Sequence, residues 1–101
     1  MSSVNDRITG LLNENKVVLF LKGTQQFPQC GFSARACAIL QDIGVKFQDV
    51  NVLEDEEIRQ GIKEFGNWPT IPQLYINKQL VGGSDIMMEM YQSGELQELL
   101  K

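Results

Sequence analysis

"KVVLFLKGTQQFPQCGFSARACAIL", residues 16–40, decides how this chain folds. Residues 16–22 form a short apolar, β-branched run, which predicts a strand buried on both faces. "GTQQFPQ" (23–29) follows and is a loop. From about Gly31 the residues Ala36, Ile39, Leu40 and Ile43 recur at helical spacing, and Gly44 supplies the stop. A strand that feeds a helix through a loop is the first half of a β-α-β unit. "VKFQDVNV" (45–52), which alternates as a strand does, completes it.

Outward from this unit the remaining elements follow. Val4, Ile8, Leu11 and Leu12 share one face of an N-terminal helix. "EDEEIRQGIKEFG" (54–66) places acids in a first turn and Ile58, Ile62 and Phe65 on one face, a further helix. "PQLYI" and "QLVGG" flank Asn77-Lys78 as a hairpin. "SDIMMEMYQ" (84–92) starts with a capping residue and is helical, and "GELQELLK" (94–101) is a short last helix. The order α-β-α-β-α-β-β-α-α predicts an α/β fold, a four-stranded mixed β-sheet flanked by helices, in a single domain over residues 1–101. Sites in such sheets form at the carboxyl ends of strands beside helix N-termini, and the order of elements alone puts Cys30 there.

Composition narrows the function. The chain has 101 residues, 43% apolar and 22% charged, ordinary for a soluble domain with its own core. A net charge of −4 with no basic cluster argues against nucleic acid or an anionic membrane surface as partner. No apolar run approaches the ~20 residues of a membrane span. "MSSVNDRITG" lacks the layout of a signal peptide, so a reducing, cytoplasmic location is expected. The chain has two Cys, Cys30 and Cys37, and no His, which excludes Cys–His catalysis and His-based zinc sites.

The residues leave Cys30 two roles: a small buried hydrophobe, or a reactive thiol. The second is favoured, because free N–H groups at a helix start lower a thiol pKa. Lys22 adds positive charge and Ser33, one turn on, is within reach as a hydroxyl donor. Ser33 cannot form a disulfide. Cys37 lies seven residues on, a helical rise of ~10.5 Å, beyond the ~4.4–6.8 Å Cα separation of a disulfide. A mixed disulfide at Cys30 therefore needs an outside thiol to resolve it. Cys37, beside the apolar stripe, is structural.

Lys22, "CGFS" (30–33), "WPTIPQLYIN" (68–77) and "GGSD" (82–85) resemble, in order and spacing, a monothiol glutaredoxin of the CGFS type. The resemblance runs from about Val4 to the C-terminus. It implies a thioredoxin fold, glutathione binding and a [2Fe–2S] cluster bridging a homodimer. Such a cluster usually takes four thiolates. Cys30 from each of two subunits and two glutathiones satisfy that count, whereas one chain cannot. By match to the family, Lys22 and Arg59 face the glycine-end carboxylate of glutathione. The residues alone make Arg59 part of a solvated helix face. Sequence alone favours a trans bond before Pro72. The resemblance implies cis, with the Ile71 backbone free to pair with the cysteine of glutathione as an added strand. Ser84 and Asp85 receive the γ-glutamyl end, or simply cap a helix; both roles can coexist. Gly82 and Gly83 let a ligand approach the backbone. Trp68 and Pro69 shape a turn. Ser84 stands where the family usually has Cys, so any mechanism using a thiol there is in doubt. The longer loop between Lys22 and Cys30 is typical of the CGFS type.

Two functions are thus expected. The first is a cluster carrier for iron–sulfur transfer and iron homeostasis, with a BolA-like protein and cluster-acceptor proteins as further partners. The alternative is a glutathione-dependent thiol–disulfide oxidoreductase, at most a weak enzyme, that removes glutathione from mixed disulfides through Cys30.

Overall fold

The computed structural model describes residues 3–101. Helix α1 (Val4–Glu14) begins with a capping box: Ser3 Oγ accepts from Asp6 N–H, and the Asp6 carboxylate accepts from Ser3 N–H. Strand β1 (Val17–Leu21) is buried at every residue. Helix α2 (Gly31–Ile43) ends at Gly44, whose φ of 85° allows its N–H to reach the carbonyls of Leu40 and Gln41. Strand β2 (Gln48–Asn51) leads through a 3₁₀ turn (Val52–Glu54) into helix α3 (Glu56–Phe65). Asp55 caps α3 by accepting from Ile58 N–H, and also pairs with Arg7 on α1. Strands β3 (Gln73–Ile76) and β4 (Gln79–Gly82) form the hairpin; helices α4 (Ser84–Ser93) and α5 (Glu95–Leu99) close the chain. Asn77 and Lys78 have φ of 50° and 69°, the positive pair of a tight two-residue turn. No helix among the described residues is long and apolar enough to cross a membrane.

The sheet order is β2-β1-β3-β4, with β1 parallel to β2 and the other neighbours antiparallel. This is the thioredoxin-like arrangement expected. Strand alternation explains why β1 has no polar residue. Val17, Leu19 and Leu21 pack with α2, α4 and α5, among Ala36, Leu40, Met87 and Leu96. Val18 and Phe20 pack on the other face with Ile8 and Leu12 of α1 and Ile58 and Ile62 of α3. α1 and α3 approach closely at Gly61, where a Cβ would lie 2.9 Å from Val4 Cγ1.

The structure departs from the sequence expectation at three places. β2 is shorter than residues 45–52, because β1 offers partners only to Gln48–Asn51, and Asn51 Oδ1 accepts from Leu53 N–H to start the 3₁₀ turn. Phe65 shares its helix face with Ile62 but stays 37% exposed, leaning on Tyr75 at 6.2 Å between ring centroids. Neither Ser84 nor Asp85 caps α4. The cap is Gly83, and Ser84 is the first helical residue. With no residue between β4 and the cap, the chain turns directly from strand to helix, and Gly83 C=O accepts from Met87 N–H at 2.9 Å.

Candidate functional site

Three strand ends meet at one edge of the sheet. β1 ends there and delivers Lys22. β3 runs antiparallel to β1, so the segment entering β3, Ile71-Pro72, starts at the same edge. β4 reverses once more and delivers Gly83, Ser84 and Asp85. α2 starts beside them at Cys30. Together these residues line a cleft of about 430 Å³, with Phe32, Lys63, Trp68, Pro69, Thr70 and Ile86 completing its wall. Lys22, Cys30, Ile71, Pro72, Ser84 and Asp85, all singled out from sequence, are thus brought to one place. Arg59 does not line the cleft; its guanidinium pairs with Glu56 at 3.6 Å, one helical turn before Lys63.

Cys30 is the N-cap of α2, half-buried, in extended backbone conformation. Its thiol pKa is lowered chiefly by the Ser33 backbone N–H; partial burial opposes this, and the Phe32 N–H, the Ser33 hydroxyl and the Lys22 charge add to the lowering. Ser33 is fully buried, and its Oγ accepts from Lys22 N–H at 3.0 Å. That bond occupies an acceptor lone pair and leaves the hydroxyl hydrogen for the sulfur. Ser33 therefore joins the end of β1 to the thiolate. Cys37 is 1% exposed and pushed up to about 11 by burial and by Asp49, so it is a core residue and not a nucleophile.

The loop before Cys30 is tied down from β2. Gly23 N–H donates to Asn51 Oδ1 at 3.0 Å, and Gln25 N–H to Asp49 Oδ2 at 2.8 Å. Gln29 N–H returns to Lys22 C=O at 2.8 Å. The opposite wall is held by Gln73, which is fully buried. Its Nε2 donates to the carbonyls of Trp68 (2.9 Å) and Thr70 (3.1 Å), and its Oε1 accepts from Tyr75 OH at 3.2 Å. The bond between Ile71 and Pro72 is cis. The ladder between β1 and β3 starts at Gln73, so Ile71 precedes it. Trp68 and Pro69 line the cleft as well as shaping the turn. Gly82 answers an internal demand, not a ligand: its φ is 146°, and a Cβ would lie 2.9 Å from Ile86. Gly83 does lie on the cleft wall, where a Cβ would lie 3.3 Å from Pro72 O and 3.5 Å from Trp68 Nε1.

Lys63 was not singled out from sequence. It stands four residues after Arg59, and on a charged helix such a pair looks like solvated surface; only the packing of α3 against the cleft distinguishes it. Lys22 and Lys63 form no ion pair among the described residues. Two such cations in a largely apolar cleft suit an anionic ligand. No group of three or more His, Cys, Asp or Glu among the described residues could hold a metal ion. Cys30 is the one accessible thiol, so one chain can contribute one thiolate to a shared metal site.

Comparison with known proteins agrees with this geometry. The glutaredoxin family profile matches residues 17–81. A protein of Synechocystis described as an uncharacterized monothiol glutaredoxin ycf64-like is 59% identical, over 94% of this chain and 89% of its own. Monothiol glutaredoxin-5, mitochondrial, of Saccharomyces cerevisiae is 50% identical, over 99% of this chain and 69% of its own. The solution structure of reduced poplar apo GrxS14 superposes with a TM-score of 0.81 at 52% identity, covering 91% of this chain and 84% of that one. A buckwheat glutaredoxin–glutathione complex shares the fold, with a TM-score of 0.85 at 23% identity over 96% of this chain and 86% of that one. With a single accessible cysteine at the start of α2 and these relatives, the chain belongs to the glutaredoxin family, as one of its monothiol members.

Proposed function

We propose that the cleft binds glutathione and that two glutathione-loaded chains carry a bridging [2Fe–2S] cluster, handing it to acceptor proteins. Cys30 carries the reading: it is the one accessible thiol, with a lowered pKa, in a cleft lined by two lysines that form no ion pair among the described residues. Glutathione has a carboxylate at its glycine end, a thiol in the middle and a zwitterionic γ-glutamyl end. Lys22 and Lys63, with Arg59 one turn away, attract the glycine carboxylate. The Ile71 backbone runs alongside the cysteine, and α4 presents Ser84 N–H and Asp85 to the γ-glutamyl end. Cys30 of each chain and the thiol of each glutathione then give the four thiolates that the cargo requires. The cluster supplies iron and sulfide for transfer. The protein residues hold glutathione and favour the thiolate form of Cys30, whose pKa is lowered. A BolA-like protein is a candidate second partner. We take residues 1–101 as one glutaredoxin unit that works in the reducing cytoplasm, where a free thiol persists.

The accessible thiolate also supports weak thiol–disulfide exchange. Cys30 attacks the glutathione sulfur of a mixed disulfide, and the partner's thiolate leaves and takes up a proton. A second glutathione thiolate then attacks the Cys30-bound glutathione, releases oxidised glutathione and restores Cys30. Ser33 provides no internal thiol to shorten this route.

Cys30→Ser is expected to abolish cluster binding and disulfide exchange together, while Cys37→Ser changes neither by much. Iron content and deglutathionylation rate on both variants provide the test. A folded but colourless Cys37→Ser protein, or a Cys30→Ser protein that still binds iron, would sink the assignment.

A further inference from the structure

Arg35 on α2 reaches Asp85 on α4, Nη1 to Oδ1, at 3.6 Å. This is longer than the ~2.7–2.9 Å of a tight charge-assisted bond, and the side chains are 48% and 86% exposed. So loose and wet a pair contributes little to stability. Its position is informative. Asp85 lines the cleft, in the first turn of α4, beside the N–H groups that follow the Gly83 cap. Arg35 stands just outside the lining, with most of its five donors unused by this contact. The cleft edge therefore presents a cation and an anion side by side, both open to solvent.

Resting on the glutathione reading above, we infer that Arg35 and Asp85 form a clamp for a zwitterionic α-amino-acid group, with Arg35 determining specificity for the carboxylate of the γ-glutamyl end. Ammonium and carboxylate on one carbon match an adjacent Asp and Arg. Asp85 accepts from the ammonium. The carboxylate lies between the α4 N-terminus and the guanidinium. Arg35 need not abandon Asp85, because its remaining N–H groups can serve the ligand.

Calorimetric titration of the reduced apo-protein with glutathione, and with 4-aminobutyryl-cysteinyl-glycine, separates the contributions. The second peptide keeps the ammonium and lacks the γ-glutamyl carboxylate. Arg35→Gln is expected to weaken glutathione about five-fold, the scale of one half-exposed charge-assisted bond. It should leave the analogue nearly unchanged, and Arg35→Lys should recover part of the loss. Circular dichroism checks that the variants fold. Unchanged or tighter glutathione binding by Arg35→Gln would overturn the inference, since Arg35 would then only mask Asp85. Equal loss on both peptides would overturn it too. If the wild-type chain binds no glutathione, the reading of the cleft falls and takes the clamp with it. If the wild type binds and Arg35→Gln binds equally well, the clamp alone falls.

Discussion

Replacing Ser33 by alanine separates the influences on the acidity of Cys30. The variant loses the hydroxyl but keeps the backbone N–H, which is the largest cause of the lowered pKa. Cys30 should therefore titrate higher than in the wild type and still below an ordinary thiol. The rate of alkylation by iodoacetamide against pH reads this directly, since only the thiolate reacts. No shift would mean that the hydroxyl does not face the sulfur; a shift to the ordinary value would mean that the backbone N–H counts for little. The sign for stability follows from linkage. A thiol pKa depressed by folding adds stability above the unfolded value, and that stability is lost as pH falls through the folded one. The substitution also removes the acceptor for Lys22 N–H, so the residue that follows β1 loses its hydrogen bond to α2 while the apolar packing between the two elements stays. The sequence suggests a donor at residue 33, but the second bond of that hydroxyl depends on how β1 and α2 meet.

At the scale of elements, the wall of the cleft between α3 and β3 depends on a side chain inside the fold. Gln73 satisfies two loop carbonyls and one hydroxyl while wholly buried. Gln73→Met keeps the volume and removes these bonds, leaving the buried Tyr75 hydroxyl without its partner, which costs about 1–3 kcal/mol. Urea unfolding should show a loss of this size, and glutathione affinity should fall as Trp68 and Thr70 loosen. A variant as stable as the wild type would mean that the network is dispensable. Such devices are hard to read in advance. The run Val17–Leu21 and the helical spacing of Ala36, Ile39 and Leu40 reveal their elements, because burial sets the pattern. Gln73 inside "PQLYI" looks like one polar residue at a strand start, and its partners arise only when the loop closes over it. Likewise Ser84-Asp85 looks like a helix cap, yet Gly83 takes that place because β4 turns straight into α4.

For the whole molecule, the order of elements predicted from sequence suffices to place Cys30, Lys22 and the "GGSD" block at one edge. The β-α-β unit sets the first two and the hairpin brings the third. Lys63 and the ion pair of Arg35 with Asp85 emerge only from packing, since charged helix residues follow no period that reveals what they face. The central claim concerns assembly. With one accessible thiol per chain, the proposed assembly makes up the four thiolates of a cluster from two chains and two glutathiones. Native mass spectrometry of protein reconstituted with iron, sulfide and glutathione, without dithiothreitol, with iron and glutathione quantified, tests it most directly. The account predicts a monomeric apo-protein, and a loaded dimer with two irons and two glutathiones that loses its cluster when glutathione is removed. A cluster held by a monomer, or retained without glutathione, would contradict it.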